Sequence, residues 1–237
     1  MKILAYDIEA SNLSADFGII LTFGSKFVEE GKKVEVLNIL DYADSSGDLI
    51  RAEKRLLKDI VKRILTADVL LGHFSTYYDF PFINTRLLYH RLPVLPSNFP
   101  GLDTWKVARY KLKLRNNRLV TIQGFLGLKD EKNAIQPEQW IRALGGHVPS
   151  MDYIVEHNRR DVLVLEQAYI RLRPLITNHP RGSKSFACPV CGGTHIQSRG
   201  TQVTQTRTYK RFQCQNETCG HWFDERRTGK VEKHGAK

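Results

Sequence analysis

Two acids stand two residues apart in the apolar stretch Lys2-Ile3-Leu4-Ala5-Tyr6-Asp7-Ile8-Glu9. Read as a strand, this stretch alternates its side chains between faces, so Asp7 and Glu9 point the same way, about 7 Å apart. Two carboxylates on one face repel each other and lose hydration, a cost that a cation or strong hydrogen bonds must offset. Solvated acids at a frayed strand end are the plainer account of this stretch taken alone. Two further stretches supply matching groups. Tyr77-Tyr78-Asp79 follows a short apolar strand and opens a helix, where Asp79 suits the N-cap with Pro81 in the first turn. A cap and a site residue are compatible, because loops after strand C-termini are where α/β folds place ligands. His157-Asn158-Arg159-Arg160-Asp161 lies within a helix read as capped by Ser150 and running from Met151 to about Leu172. Its residues Ile154, His157, Asp161, Leu165, Ala168 and Leu172 share a face. That face turns His157 and Asp161 toward a sheet. A lone histidine there is an ordinary core residue, but an unpaired buried carboxylate beside it costs several kcal/mol.

Other elements must carry these groups to one place. Gly18 to Phe27 and Lys33 to Ile39 alternate as strands joined by a hairpin around Glu29-Glu30-Gly31-Lys32, after a turn at Ser11-Asn12-Leu13. Leu49 to Thr66 has apolar residues at helical spacing with Lys and Arg opposite. Asp68 to Phe74 reads as a short buried strand, followed by a helix from Asp79 to about Arg91. Gly101 to Trp105 gives another strand, and Lys106 to Arg118 is basic and helical at first. Asp103 lies in that strand; nothing in its spacing ties it to the other acids, so it reads as structural. Leu119 to Leu128 and Pro137 to Leu144 are short helical pieces separated by the charged Lys129 to Lys132 loop.

Asp-x-Glu in the first strand, aromatic-Asp after a mid-chain strand and His-x3-Asp on a late helix resemble the DEDD 3′–5′ exonucleases. The likeness is to the branch related to the proofreading domains of family-B polymerases, and it covers about residues 1–175. It implies an α/β, ribonuclease-H-like fold: a mixed sheet flanked by helices, in which Asp7, Glu9, Asp79 and Asp161 hold two divalent ions. The chain departs from the family in two places. Phe74 and Ser75 stand where an Asn usually precedes the aromatic-Asp pair, and His157 has the spacing that usually goes with a catalytic Tyr. His157 is the general base by analogy. A phosphodiester is anionic and resists attack, so two ions about 3.5–4 Å apart neutralise its oxygens and orient water. Hard oxygen ligands favour Mg²⁺ or Mn²⁺. A neutral imidazole, with a reference pKa of about 6.5, takes the water's proton.

All four cysteines lie near the C-terminus, as Cys188-x2-Cys191-Gly and, after 22 residues, Cys214-x4-Cys219-Gly. Such knuckles wrap one tetrahedral Zn²⁺. Two disulfides are the alternative, though nothing in the sequence points to secretion. Gln197 to Phe212 alternates as strands do, so the tail resembles a small β zinc ribbon. About 40 residues cannot build an adequate core alone, and bound metal supplies folding free energy. Arg199, Arg207, Lys210, Arg211, Arg226 and Arg227 are interleaved with Tyr209, Phe212, Trp222 and Phe223. They suit phosphate contacts and base stacking, while some of the rings must fill the ribbon's core.

The sequence therefore divides into an exonuclease-like domain at 1–176, a polar linker at 177–186, a ribbon at 187–226 and a basic tail at 227–237. The chain has 36 Lys and Arg against 25 Asp and Glu, a net charge of +11. Residues 179–237 hold 11 of the basic residues and 4 of the acidic ones. That excess favours a polyanionic partner, a nucleic acid, DNA or RNA, with a 3′ end. With 41% apolar residues the chain can build a core; it has no 18-residue apolar run, and Met1-Lys2 opening directly into an acid-bearing strand reads as something other than a signal peptide. The expectation is a soluble, cytoplasmic protein with no membrane partner. The function expected is 3′–5′ hydrolysis of single-stranded or frayed nucleic acid. A structure-selective nuclease on the same fold and a non-catalytic nucleic-acid-binding protein are the alternatives.

Overall fold

The computed structural model of the chain describes residues 1–31, 33–128, 135–176, 179–180 and 187–227. The expected Lys129–Lys132 loop lies outside these residues. So does most of the expected linker and all of the tail beyond Arg227. The chain separates into two compact units, residues 2–168 and 169–237.

The first unit is built on five strands, β1 (Ile3–Ala10), β2 (Ile20–Phe27), β3 (Glu35–Asn38), β4 (Val69–Gly72) and β5 (Gly101–Asp103). They lie in the order β3-β2-β1-β4-β5. β1 pairs antiparallel with β2, which pairs antiparallel with β3; on the other side β1 is parallel to β4 and β4 to β5. This is the expected mixed sheet. The helices are α1 (Leu49–Ile64), α2 (Asp79–Tyr89), α3 (Thr104–Lys111), α4 (Leu119–Phe125), α5 (Pro137–Leu144) and α6 (Val148–Leu172).

β1 shows why a sheet forms here. Leu4, Tyr6 and Ile8 enter the main core with Leu56, Leu57 and Ile60 of α1 and Phe82 and Ile83 of α2. Each fully buried aliphatic side chain contributes about 1.5–3 kcal/mol. The alternation then leaves Asp7 and Glu9 on the opposite face, only partly buried. α1 is capped by Asp48, whose carboxylate accepts from the N–H groups of Ile50 (3.0 Å) and Arg51 (3.1 Å). One buried clasp ties α1 to α2. Glu53 accepts from the N–H of Ile20 and from Arg86, contacts His90 Nε2 at 2.7 Å, and is itself fully buried. Arg86 also donates to the carbonyl of Ala15 at 2.9 Å, which fixes the loop leaving β1.

α6 starts at Val148, three residues before the Met151 that its sequence suggests. Ser150 is not its cap: the serine lies inside the helix, and its hydroxyl meets Nδ1 of His147 at 2.8 Å. The predicted helix face is buried as its period requires, with Ile154, Leu165, Ala168 and Leu172 all inaccessible. Among the described residues no helix is long and apolar enough to cross a membrane.

The second unit contains three strands, β6 (Ile196–Val203), β7 (Thr208–Cys214) and β8 (Trp222–Asp224), all antiparallel in that order. Its core is small: Cys188, Val190, Phe212, Cys214, Cys219 and Phe223. Phe212 and Phe223 pack at 5.8 Å between ring centroids, so these two of the four aromatics fill the core. Trp222 remains 46% exposed.

Candidate active site and metal centre

Glu9, His157 and Asp161 converge. Among the described residues they form one of two groups whose ligand atoms all lie within 4.8 Å of one another. His157 Nε2 stands 3.7 Å from Glu9 Oε1 and 3.8 Å from Asp161 Oδ2. All three side chains keep between 12% and 16% of their surface exposed. They are open enough for a substrate yet shielded enough for charge to matter.

Asp7 and Asp79 are outside that trio but held next to it. Asp7 Oδ2 accepts from the side-chain amide of Asn158 at 2.7 Å. Asn158 is fully buried one residue after His157, and among the described residues its Oδ1 has no hydrogen-bond partner. The amide reaches Asp7 by passing over Gly24, which pairs with Asp7 in the β1–β2 ladder. A Cβ at Gly24 would lie 2.6 Å from Asn158 Oδ1 and 3.0 Å from Val162 Cγ2, so only glycine leaves this passage open.

Asp79 does not cap its helix. The N-cap position falls on Tyr78, which makes no capping bond through its side chain. The Asp79 carboxylate instead turns back and accepts from the N–H of Ile8 at 3.1 Å, tying α2 to the middle of β1. Burial raises its pKa to about 7, against the lowering effect of the Ile8 N–H and its own backbone N–H. Tyr78, half-buried beside the site, is pushed up to about 12 by burial and then by the charges of Asp79, Glu9 and Asp7. One phenol thus senses three of the four acids. Tyr6 is buried under them, and its pKa is raised by desolvation first and by Asp79 next.

Asp103 stands apart from the metal-binding groups, as its spacing suggests. Its carboxylate caps α3 by accepting from the N–H of Trp105 at 3.0 Å. It also accepts from the N–H groups of Phe74 (2.8 Å) and Thr76 (3.2 Å) and so pins the loop that presents Asp79. Ser75, in the place of the family's usual Asn, sits against Gly72, where a Cβ would lie 2.1 Å from its hydroxyl. Beside Glu9 opens a cleft of about 370 Å³ whose lining includes Asn12, Leu13, Tyr78 and Trp140.

The sequence did not single out Asn158, Gly24 or Trp140. Asn158 carried one signal: a polar amide next to His157 on a helix turned to the sheet must find a partner. Gly24 carried none, because a glycine within a strand has several ordinary explanations.

The four cysteines form the second group. Cys188 Sγ lies 3.7 Å from Cys219 Sγ, and Cys191 Sγ 3.6 Å from Cys214 Sγ. Four sulfurs about 2.3 Å from a tetrahedral ion stand about 3.8 Å apart, so the spacing suits zinc. No disulfide forms among them. Gly192 and Gly220, each directly after a knuckle's second cysteine, have φ of 70° and 54°, which lets the chain turn back toward the sulfurs. The hydrogen bond from Cys219 lowers the Cys188 thiol to about 5, and the same bond raises Cys219. Only a cation would let such crowded thiols ionise together.

The basic residues proposed for binding spread over the ribbon. Arg199 lies on β6 and donates to Gln213 at 3.0 Å; Arg207 sits in the β6–β7 turn. Lys210 lies on β7 near Glu225, and Arg211 lies over the Trp222 ring at 5.2 Å. Arg226 pairs with Asp224 and lies over Tyr209 at 4.2 Å, which commits part of its charge within the ribbon. Arg227 ends the short turn after β8.

The family model described as RNase_H superfamily matches residues 4–173. No curated protein is significantly similar to the chain in sequence. Among solved structures, the family B DNA polymerase from the hyperthermophilic archaeon Pyrobaculum calidifontis is similar, with a TM-score of 0.55 at 16% identity. The match covers 73% of this chain and 25% of the polymerase. At that identity the likeness speaks to the fold.

Proposed function

The chain belongs to the RNase H superfamily, and from that premise we propose that it is a metal-dependent 3′–5′ exonuclease hydrolysing phosphodiester bonds of single-stranded or frayed nucleic acid. The observation that carries the proposal is the convergence of Glu9, His157 and Asp161, with Asp7 fastened to the same helix through Asn158 and Asp79 fastened to β1. Glu9 and Asp161 converge on His157, and Asp7 and Asp79 are anchored on the adjoining elements, an arrangement of carboxylates that divalent ions would stabilise.

Asp7, Glu9, Asp79 and Asp161 are the proposed ligands of Mg²⁺ or Mn²⁺. Such ions would neutralise the phosphate oxygens and make bound water a better nucleophile. The rest falls to the chain. His157, within 4 Å of Glu9 and Asp161, accepts the proton of the attacking water. Asn158 fixes the Asp7 rotamer, and the Ile8 N–H fixes that of Asp79. The cleft beside Glu9 has room for a terminal nucleoside against Tyr78 and Trp140. Residues 1–176 are assigned to hydrolysis and the ribbon, 187–226, to holding nucleic acid with structural Zn²⁺. A cytoplasmic site of action belongs to the same reading.

The test is the polarity of the products. Full-length protein with Mg²⁺ or Mn²⁺ and a single strand labelled at its 3′ end should release labelled mononucleotide from the first turnover, while the 5′-labelled strand shortens stepwise. Internal fragments without mononucleotide would instead identify a structure-selective nuclease, and binding without cleavage a non-catalytic protein.

A further inference from the structure

Phe74 is placed against its own preferences. Its φ of 64° lies in the left-handed region, which costs a bulky residue about 1–2 kcal/mol. The side chain is 41% exposed, so burial does little to offset that cost. Glycine or asparagine would adopt this backbone more cheaply. The backbone itself is fully accounted for: the Phe74 N–H donates to Asp103, and its carbonyl accepts from Tyr77 (3.0 Å) and Tyr78 (3.1 Å). The ring is what remains to be explained.

That ring belongs to a cluster of three. Phe74 lies 5.2 Å from Tyr77 and 5.2 Å, edge-on, from Trp105; Tyr77 and Trp105 meet edge-on at 5.7 Å. Tyr77 is 53% exposed, and the Lys106 ammonium sits 5.1 Å from its ring centroid. The cluster immediately precedes Tyr78 and Asp79 in the chain. It also opens a strongly basic segment: residues 104–128 contain six Lys and Arg and no acid, and Arg109, Lys111, Lys113, Arg115 and Arg118 are exposed.

We propose that Phe74, Tyr77 and Trp105 form a stacking platform for unpaired bases of a nucleic-acid strand, with Lys106 and the basic residues after it receiving the phosphates. Exposed rings alone would suit many partners. Rings followed by a segment of six cations and no acid suit a ligand that alternates π-faces with anions. A duplex keeps its base faces stacked internally, so the platform selects unpaired strand. The inference rests on the reading of the chain as an exonuclease and adds to it a basis for choosing single strands.

Binding of a fluorescent 12-nucleotide single strand and of the matching duplex tests it, using the full-length chain with Asp161→Asn to prevent cleavage. Phe74→Asn in that background should weaken single-strand binding on the order of tenfold, with little change for duplex. Its melting temperature should hold or rise, because Asn tolerates the left-handed backbone. Phe74→Trp should keep the affinity. Replacing bases of the strand by abasic sites should weaken the parent protein more than the Phe74→Asn variant. If Phe74→Asn binds single strand as tightly as its parent, or loses single strand and duplex equally, the platform is refuted and the exonuclease reading stands. If the parent binds no nucleic acid and the protein with Asp161 intact cleaves none, both fall.

Discussion

The two candidate metal-binding groups sit in regions held together in opposite ways. Around Glu9, His157 and Asp161 the scaffold is a five-stranded sheet with a core of aliphatic side chains from β1, α1 and α2. The acids are additions to a fold already stable on hydrophobic grounds. Among the described residues the ribbon's hydrophobic cluster has six buried members, three of them cysteines. There the ligands are the core. On the proposed reading metal would confer chemistry in one region and structure in the other, and removing it should have different consequences in each.

The largest expected effect follows from this difference. Cys188→Ser, or stripping zinc with a chelator, should unfold the ribbon, because structural zinc in small modules contributes about 10–16 kcal/mol of apparent binding free energy at neutral pH. Zinc content should fall in step, and the Phe212 and Phe223 resonances should collapse to unfolded positions. Trp105 and Trp140 should keep their native spectra. Loss of both sets of signals would mean that the two regions share one cooperative fold.

Asp79→Asn probes the other side of the comparison. Burial holds the pKa of Asp79 near 7, well above that of an unfolded aspartate, so the folded state favours the protonated form. The stability from this group is complete below about pH 4 and declines as pH rises through 7. Metal-free Asp79→Asn should therefore melt about 5 °C above the parent at pH 8 and equal it at pH 4. Hydrolysis should drop by at least about 10²-fold. A lower melting temperature at pH 8 would show that Asp79 is a structural anchor instead.

Gly24→Ala should have a smaller effect on stability, about 1–3 kcal/mol, because the new methyl presses on Asn158 and Val162. Its effect on turnover should exceed its effect on substrate binding, since it disturbs how Asp7 is held. Equal kcat with raised KM would remove Asn158 from its positioning role.

How much of this was legible in the sequence depends on the range of each signal. Asp7 and Glu9 were readable because strand alternation is local, and His157 and Asp161 because an i,i+4 pair stands out on an apolar helix face. The C-x2-C and C-x4-C knuckles specify their own ligand geometry. Asp79 was placed in the right loop but misread as a cap, since its true partner, the N–H of Ile8, is 71 residues away. Ser150 was misread for the converse reason: the helix already begins at Val148 with Pro149 in its first turn, and the serine hydroxyl meets His147, only three residues away. The contact of Asn158 with Asp7 across Gly24 exists only once α6 lies on the sheet, and no spacing within either segment encodes it.

The central claim is that the facing acids of the sheet unit, and not the ribbon, perform hydrolysis. Comparing the full-length protein with its Asp161→Asn variant on a 3′-labelled single strand, in Mg²⁺ or Mn²⁺ and at matched zinc content, tests it most directly. The account predicts mononucleotide release by the parent and at least about a 10²-fold loss in the variant, with unchanged zinc and an unchanged or higher melting temperature. Release at the parental rate by Asp161→Asn would contradict it.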